Sequence, residues 1–176
     1  ERPVTALVGM WGDFDIAGPA HKKTNLPASI IEVEELLALT GLEPSIVLHS
    51  GHGAQVWWLL SEAWVLDTPE ERQKARDFAQ AWQDTLKVVA AGQGYEIDST
   101  SDLERILRVV GTINYKLPDE PVEVRLLRST GKRYARSDIE EKFLAPEKPF
   151  QKLDPKTIQV GAFTMNPAAT PPFEKF

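Results

Sequence analysis

Apolar and polar positions along the first third of the chain follow the two-residue period of β-strands. The apolar run at residues 4–11 is typical of a buried strand, and it leads into the acidic stretch 12–15. Residues 45–50 and 55–60 form two β-rich runs that are joined by a short link containing two glycines. Such a link between β-rich runs predicts an antiparallel hairpin.

Other stretches have the longer period of amphipathic helices. The first follows Pro27, where Ser29 and Glu32 form a capping box. The longest covers residues 68–92, with a threonine cap and a proline in its first turn. A further capping box predicts a helix that begins at Asp102.

The domain boundary follows from the end of the periodic pattern. A half-exposed strand at 122–127 and a short helix at 137–144 are the last periodic elements, and prolines punctuate residues 145–176. We therefore expect one domain at residues 1–144 and a Pro-rich C-terminal arm or linker at 145–176. Because the first strand begins within five residues of Glu1, we also expect a truncated N-terminus.

Composition narrows the class of protein. The chain has 176 residues, 42% hydrophobic and 26% charged, as in a globular domain, and it has neither a long apolar run nor a signal-peptide pattern. We therefore expect a cytoplasmic protein without a membrane partner. The absence of cysteine excludes thiolate metal sites, which favours Mg²⁺ or Mn²⁺. The net charge of −6 opposes indiscriminate polyanion binding but permits a local basic groove.

The acidic pair Asp13 and Asp15 is the first candidate for chemistry. Successive strand residues alternate faces, so these two side chains project from one side with roughly 7 Å between their Cα atoms. Two carboxylates so placed would repel each other without a cation. The pair therefore predicts a divalent-metal clamp.

Polar groups elsewhere provide candidate anion contacts. The turn 50–53 has glycines that let backbone N–H groups approach a phosphate, and Gln55 follows it. The loop after the acid pair contains His21, Lys22 and Lys23, which either meet phosphates or form an ordinary solvated basic loop.

A second acidic and basic stretch lies farther along the chain. Asp98 follows an apolar residue, and Arg105, Arg108 and Lys116 come after it, with Asn114 on the same face as Lys116. One interpretation is an acid beside a basic cluster. The other is a surface ion network in which the arginines pair with neighbouring carboxylates.

Three motifs together resemble a known family. In order, they are Trp11-Gly12-Asp13-Phe14-Asp15, then Ser50-Gly51-His52-Gly53 before a tryptophan-rich strand, then Ile97-Asp98 followed by Arg108-Val109-Val110-Gly111-Thr112-Ile113-Asn114-Tyr115-Lys116. Over about residues 4–127 this pattern resembles the archaeo-eukaryotic primase (AEP) superfamily, above all the primase-polymerase domains of phages, prophages and plasmids. Gln55 stands where relatives usually carry a histidine, and Val110 where they carry a proline.

The resemblance implies a fold and an activity. The fold would be α+β, with an RRM-like antiparallel sheet flanked by helices, a second small αβ unit, and an active site in the cleft between them. The activity would be a DNA-dependent primase/polymerase in a mobile-element replication protein, which transfers nucleotides from NTP or dNTP to a 3′-hydroxyl on a single-stranded DNA template. A helicase or other replication domain would follow the C-terminal arm.

The resemblance also implies roles for particular residues. Two Mg²⁺ or Mn²⁺ ions would be held by the catalytic carboxylates Asp13, Asp15 and Asp98. The nucleotide would be bound by Ser50, Gly51, His52, Gln55, Arg108 and Lys116. Phosphate or template contacts would come from His21, Lys22, Lys23, Arg105 and Asn114. Asp102 is an alternative third ligand, but we prefer Asp98 because helix capping already accounts for Asp102.

Two alternatives stay open from the sequence. With glutamine in place of the usual histidine, the domain is either an active enzyme or a catalytically weakened, primase-like DNA-binding module. A rolling-circle replication nuclease also uses an RRM-like sheet, but its histidine pair and its tyrosine in an active-site helix have no clear counterpart here.

Overall fold

The computed structural model describes residues 3–144, which form a mixed α and β structure. In chain order the elements are β1 (Ala6–Asp15), α1 (Ile30–Leu39), β2 (Ile46–His49), β3 (Gly53–Val65), α2 (Pro69–Gly92), β4 (Ile113–Asn114), β5 (Val122–Glu123), β6 (Arg125–Ser129) and α3 (Arg136–Glu140). The main sheet is antiparallel with the strand order β1-β3-β2-β6, and β4 pairs with β5 in a separate small sheet. The expected α+β architecture with an antiparallel sheet is confirmed at this level.

The strand register brings the predicted motifs together. β2 and β3 form the expected hairpin, in which the Ser50 N–H donates to Gly53 O over 2.8 Å. β3 also pairs with β1 along most of its length, and this places Asp13 opposite Gln55 and Asp15 opposite Gly53. The acid pair therefore lies beside the glycine turn.

Helices α1 and α2 and the main sheet form the core together. The N-terminal caps of the two helices are those that the sequence predicts, because Ser29 and Thr68 accept the Glu32 and Glu71 backbone N–H groups. On one face of the sheet Trp58 packs edge-on against Trp82 of α2, with ring centroids 4.7 Å apart. Trp57 lies on the opposite face and packs against Trp11, at 6.3 Å. Trp58 and the acid pair thus lie on opposite faces of the sheet, and the buried Trp11 extends the core to the face of the acid pair.

The prediction of a helix that begins at Asp102 is wrong. Residues 103–104 form a turn, and residues 105–109 have no regular structure. A short isolated helix is marginal in water, so other hydrogen bonds readily replace it. Here the Arg108 N–H donates to Gln55 Oε1, and the Ser101 hydroxyl, which the expected capping box needs, donates to Gln80 instead. The second small unit is therefore a loop with a two-stranded sheet.

Two other expectations concern membrane-spanning helices and the Pro-rich C-terminal arm. Within residues 3–144, no helix has both the length and the apolar character that a bilayer crossing requires. The Pro-rich arm at 145–176 lies outside the described residues.

The close approach of β1 and β3 beside the acid pair can be tested at Gly53. A Cβ atom there would lie 2.2 Å from Phe14 O, so we expect Gly53→Ala to force the strands apart and to lower the free energy of unfolding by about 1–3 kcal/mol. Denaturant unfolding measures this change. Gly92→Ala is the control, because its Cβ meets no atom within 4 Å and alanine favours a helix. Equal stability of Gly53→Ala and wild type would contradict this packing.

Candidate functional site

Asp13 and Asp15 lie at the C-terminal end of β1, on the face of the sheet opposite Trp58 and α2. Burial raises the pKa of Asp13 above its ordinary value, and the neighbouring charge of Asp15 raises it further. Gln55, Arg105 and Lys116 partly oppose this rise. The charge of Asp15 thus disfavours the ionised form of Asp13, and a cation between the two carboxylates would relieve that repulsion.

Gln55 joins this pair to the loop at 103–111. The side chain is 4% exposed, and its Oε1 accepts the Arg108 backbone N–H at 2.8 Å. Because that bond uses the carbonyl end of the amide, the amino group is the end available to Asp13. Gln55 therefore supplies a neutral donor beside the carboxylate and holds the basic loop over β1.

His21 is the nearest imidazole to the acid pair. Its Nδ1 lies 2.9 Å from Asp15 Oδ2 and 3.2 Å from Lys116 Nζ, and its Nε2 lies 3.1 Å from His52 O. A carbonyl oxygen only accepts, so the contact with His52 O is a hydrogen bond in the tautomer that has its proton on Nε2. The structure thus brings His21 and Lys116 together with Asp15.

The glycine turn is built closely against Asn114. Gly51 has φ +102°, and a Cβ there would lie 2.8 Å from the Asn114 side-chain nitrogen. Asn114 is 2% exposed, and its amide donates to Ser50 O at 2.7 Å. Asn114 therefore supports the turn from inside, and its sequence-predicted contact with template stays a prediction.

The surroundings of the histidine in the turn disfavour its charged form. Burial lowers the pKa of His52, and Lys116, His21 and Arg108 lower it further. Its Nε2 is buried without a hydrogen-bond partner among the described residues. The turn and the loop after β1 enclose a cavity of about 180 Å³ that is lined in part by Gly18, Pro19, His49, Gly51 and His52. Its lining begins at Ile16, which directly follows the acid pair in the chain.

Asp98 is directed towards Lys23. The Lys23 Nζ lies 2.6 Å from Asp98 Oδ1 and 2.8 Å from Glu96 Oε1, and the Asp98 hydrogen bond is the largest of the causes that raise the pKa of Lys23. Within residues 3–144, no three histidine, cysteine or carboxylate side chains are grouped closely enough to hold a metal ion. The structure does not group Asp98 with Asp13 and Asp15, so its role as third ligand stays a prediction.

The basic residues of the second motif lie on the surface beside the site. Arg105 pairs with Asp102 at 2.5 Å, which is part of the ion network that the sequence left as an alternative. Arg105 also acts on the charge of Asp13, and Arg108 on that of His52. Lys22 is exposed. The basic cluster and the ion network are therefore present together.

Sequence reasoning missed a buried polar network behind the site. Gln83 on α2 is 2% exposed; its amide donates to Trp11 O at 2.7 Å and accepts from the Thr100 N–H and hydroxyl at 3.3 and 3.2 Å. The Trp11 indole N–H in turn donates to Thr100 O at 2.7 Å. In the sequence, this network is indicated by a polar residue, Gln83, between the core positions Trp82 and Leu86. This network fixes the segment after Asp98 against β1.

Comparison with known proteins identifies the class of fold. No protein-family model matches the sequence, and no curated protein matches it. Among solved structures, the chain is similar to the AEP domain of the primase-polymerase (PrimPol) of cyanophage S-2L, with a TM-score of 0.55 and 15% identity. The match covers 80% of this chain and 62% of that chain, so the chain spans less than two thirds of that structure. The fold is therefore similar to that of this AEP domain, which confirms the expected resemblance for the fold alone.

The raised pKa of Asp13 gives a pH-dependent prediction. A carboxyl group whose pKa is higher in the folded protein than in the unfolded chain destabilises the fold as it ionises, so this cost appears as the pH rises above about 4 and through the folded pKa. Without added metal, we expect Asp13→Asn to be more stable than wild type at about pH 7, by an amount of the order of 1 kcal/mol. The difference should vanish below about pH 4.

Thermal unfolding across this pH range measures the effect. Asp67→Asn is the matched control because Asp67 is exposed in the loop before α2, so we expect no such gain. An Asp13→Asn protein that is no more stable than wild type at neutral pH would show that the ionised carboxylate is not destabilising.

Proposed function

We propose that this chain is the nucleotidyl-transfer domain of a DNA-dependent primase/polymerase from a mobile-element replication protein. It would transfer nucleotides from NTP or dNTP to a 3′-hydroxyl on a single-stranded DNA template. The observation that carries the proposal is an AEP-like fold whose acid pair, Asp13 and Asp15, lies at the end of β1 among basic side chains. The similar cyanophage structure is a domain of a primase-polymerase, which is the same class of enzyme.

The donor chemistry of the acid pair supports a site for Mg²⁺ or Mn²⁺. Hard divalent cations prefer carboxylate oxygen, and the raised pKa of Asp13 indicates a carboxylate in need of a counter-charge. Asp13 and Asp15 would hold two such ions with Asp98, once Asp98 leaves its ion pair. The ions would activate the 3′-hydroxyl and stabilise the charge that develops at the transferred phosphorus.

The remaining residues of the site would handle the triphosphate. Lys116 and Arg105 already act on the charge of Asp13, and both are exposed towards solvent, where phosphate oxygens can reach them. The turn at 50–53 would contribute backbone N–H groups. Gln55 contributes through its bond to the Arg108 backbone, which keeps the basic loop beside the carboxylates. The template strand would lie along this basic loop.

A weakened DNA-binding module is the second candidate. It is favoured by two observations: Asp98 is bound to Lys23, and the amide of Gln55 cannot carry the positive charge of an imidazolium. Such a module would bind DNA without metal-dependent binding of nucleotides.

The acid pair gives the direct test of the enzyme. We expect Asp13→Ala and Asp15→Ala each to reduce metal-dependent incorporation by more than about 100-fold, because each removes a carboxylate ligand and leaves the sheet pairing intact. The assay uses single-stranded templates, labelled NTPs or dNTPs and Mn²⁺, with and without a primer. Asp67→Ala is the control for loss of a surface carboxylate, and circular dichroism checks the fold. Undiminished extension by either site variant would refute the assignment.

Nucleotide titration separates the two candidates. For the enzyme we expect calorimetry to detect binding of a triphosphate nucleotide in Mn²⁺ that weakens at least tenfold when the metal is chelated, since a cation held by Asp13 and Asp15 would offset the charge between these carboxylates and the phosphates. Binding of single-stranded DNA without any metal-dependent nucleotide binding would favour the module.

A further inference from the structure

Exposed apolar side chains are concentrated in the part of the chain that carries the basic residues of the site. Of the twelve large apolar side chains that are exposed in the described part of the chain, five lie within residues 106–115. These five are 43% to 91% exposed, and they are Ile106, Val109, Val110, Ile113 and Tyr115. Such a concentration within ten residues is typical of a binding surface.

Strand alternation directs Tyr115 to the outside of this segment. The Asn114 amide donates to the glycine turn, and Lys116 Nζ lies 3.2 Å from His21 Nδ1. Successive residues of an extended chain point to opposite faces, so Ile113 and Tyr115 are directed away from the turn. Their exposed fractions of 43% and 64% agree with this orientation. The segment therefore presents polar groups to the acid pair and apolar groups to solvent.

The charges of this segment match those of a nucleic-acid strand. Residues 105–116 contain no acidic residue and three basic ones, Arg105, Arg108 and Lys116. Two of these, Arg105 and Lys116, act on the charge of Asp13, so the positive charge lies beside the acid pair. Basic groups interleaved with apolar and aromatic ones are suited to a single strand, because the former hold phosphates and the latter meet bases.

The outer face of β4 suits a base better than a phosphate. Ile113 pairs with the exposed Glu123 of β5, which places a carboxylate on that face. A carboxylate repels a phosphate, whereas it has no net charge to oppose on a base. Tyr115 provides an aromatic ring beside Ile113, and most of its side chain is accessible to a ligand.

We propose that Ile106, Val109 and Tyr115 contact unpaired bases of single-stranded nucleic acid, and that the ring of Tyr115 stacks on one base. The inference rests on the proposed function. In a duplex the bases are paired and stacked on each other, so this surface favours a single strand over a duplex. Because every base has a π-face, the contact is tolerant of sequence.

Substitution of Tyr115 tests the stacking. We expect Tyr115→Ala to weaken binding of a short single-stranded oligonucleotide by at least about fivefold, because base–aromatic stacking contributes on that scale. Tyr115→Phe retains the ring and should bind within about twofold of wild type. Fluorescence anisotropy of a labelled oligonucleotide, without added metal, measures the affinity independently of enzymatic turnover.

Two exposed isoleucines provide a matched pair. Ile106 is 91% exposed on the loop, and Ile31 is 70% exposed on α1. We expect Ile106→Ser to weaken binding of the same oligonucleotide by at least about twofold, since it removes an apolar contact with a base. Ile31→Ser makes the same chemical change away from the loop and should leave the affinity unchanged.

An abasic oligonucleotide separates base contacts from phosphate contacts. Wild type and Tyr115→Ala should bind an abasic strand with equal affinity, because the ring then has no base on which to stack. A loss in Tyr115→Ala that is as large on the abasic strand as on the normal one would overturn the proposal.

The remaining outcomes distinguish this proposal from the proposed function. Binding of single-stranded DNA by Tyr115→Ala and Ile106→Ser as tightly as by wild type would overturn the base contacts, whereas metal-dependent incorporation by wild type would leave the proposed function standing. Unchanged DNA binding together with an altered oligomeric state of Ile106→Ser in sedimentation would overturn it in favour of a protein interface. A wild type that neither binds single-stranded DNA nor incorporates nucleotides would overturn both.

Discussion

Asp13 and Gln55 face each other across β1 and β3, and this contact links the fold to the candidate site. The strands can approach there because Gly53 leaves no Cβ against Phe14 O. Their pairing buries Gln55, so its amide must find partners inside the protein: its carbonyl end takes the Arg108 N–H, and its other end faces Asp13. One buried side chain thus determines both the surroundings of a carboxylate and the path of the basic loop.

A second constraint acts on the other edge of β1. Trp11 O would lack a strand partner on that edge, and Gln83 of α2 supplies the donor. The same glutamine accepts from Thr100, so a single buried amide joins the long helix, the acid-bearing strand and the segment that carries Asp98. All three are fixed relative to one another by bonds shielded from water, which are costly to leave unmade.

Local signals predicted much of this fold and little of the site's geometry. The caps at Ser29 and Thr68, the long helix and the glycine hairpin depend on residues within a few positions of one another, and the structure contains all of them. The helix at Asp102 had equally good local signals, but bonds to Gln55 and Gln80, more than 20 residues away, replaced it. The direction of Asp98 likewise depends on Lys23, which no periodic pattern relates to it.

The charge of the site follows from the amide at position 55. A histidine at this position would bring a titratable positive charge to β3. Gln55 has only a neutral amide, whose oxygen accepts from the Arg108 N–H and whose amino group donates to Asp13. Burial and neighbouring cations lower the pKa of His52, which disfavours a positive charge on that imidazole as well. The positive charge next to Asp13 and Asp15 therefore comes from exposed side chains on loops, chiefly Lys116 and Arg105. In an acidic chain, any polyanion bound at this site would depend on these loop residues, and its binding would weaken with added salt, because exposed charges are screened.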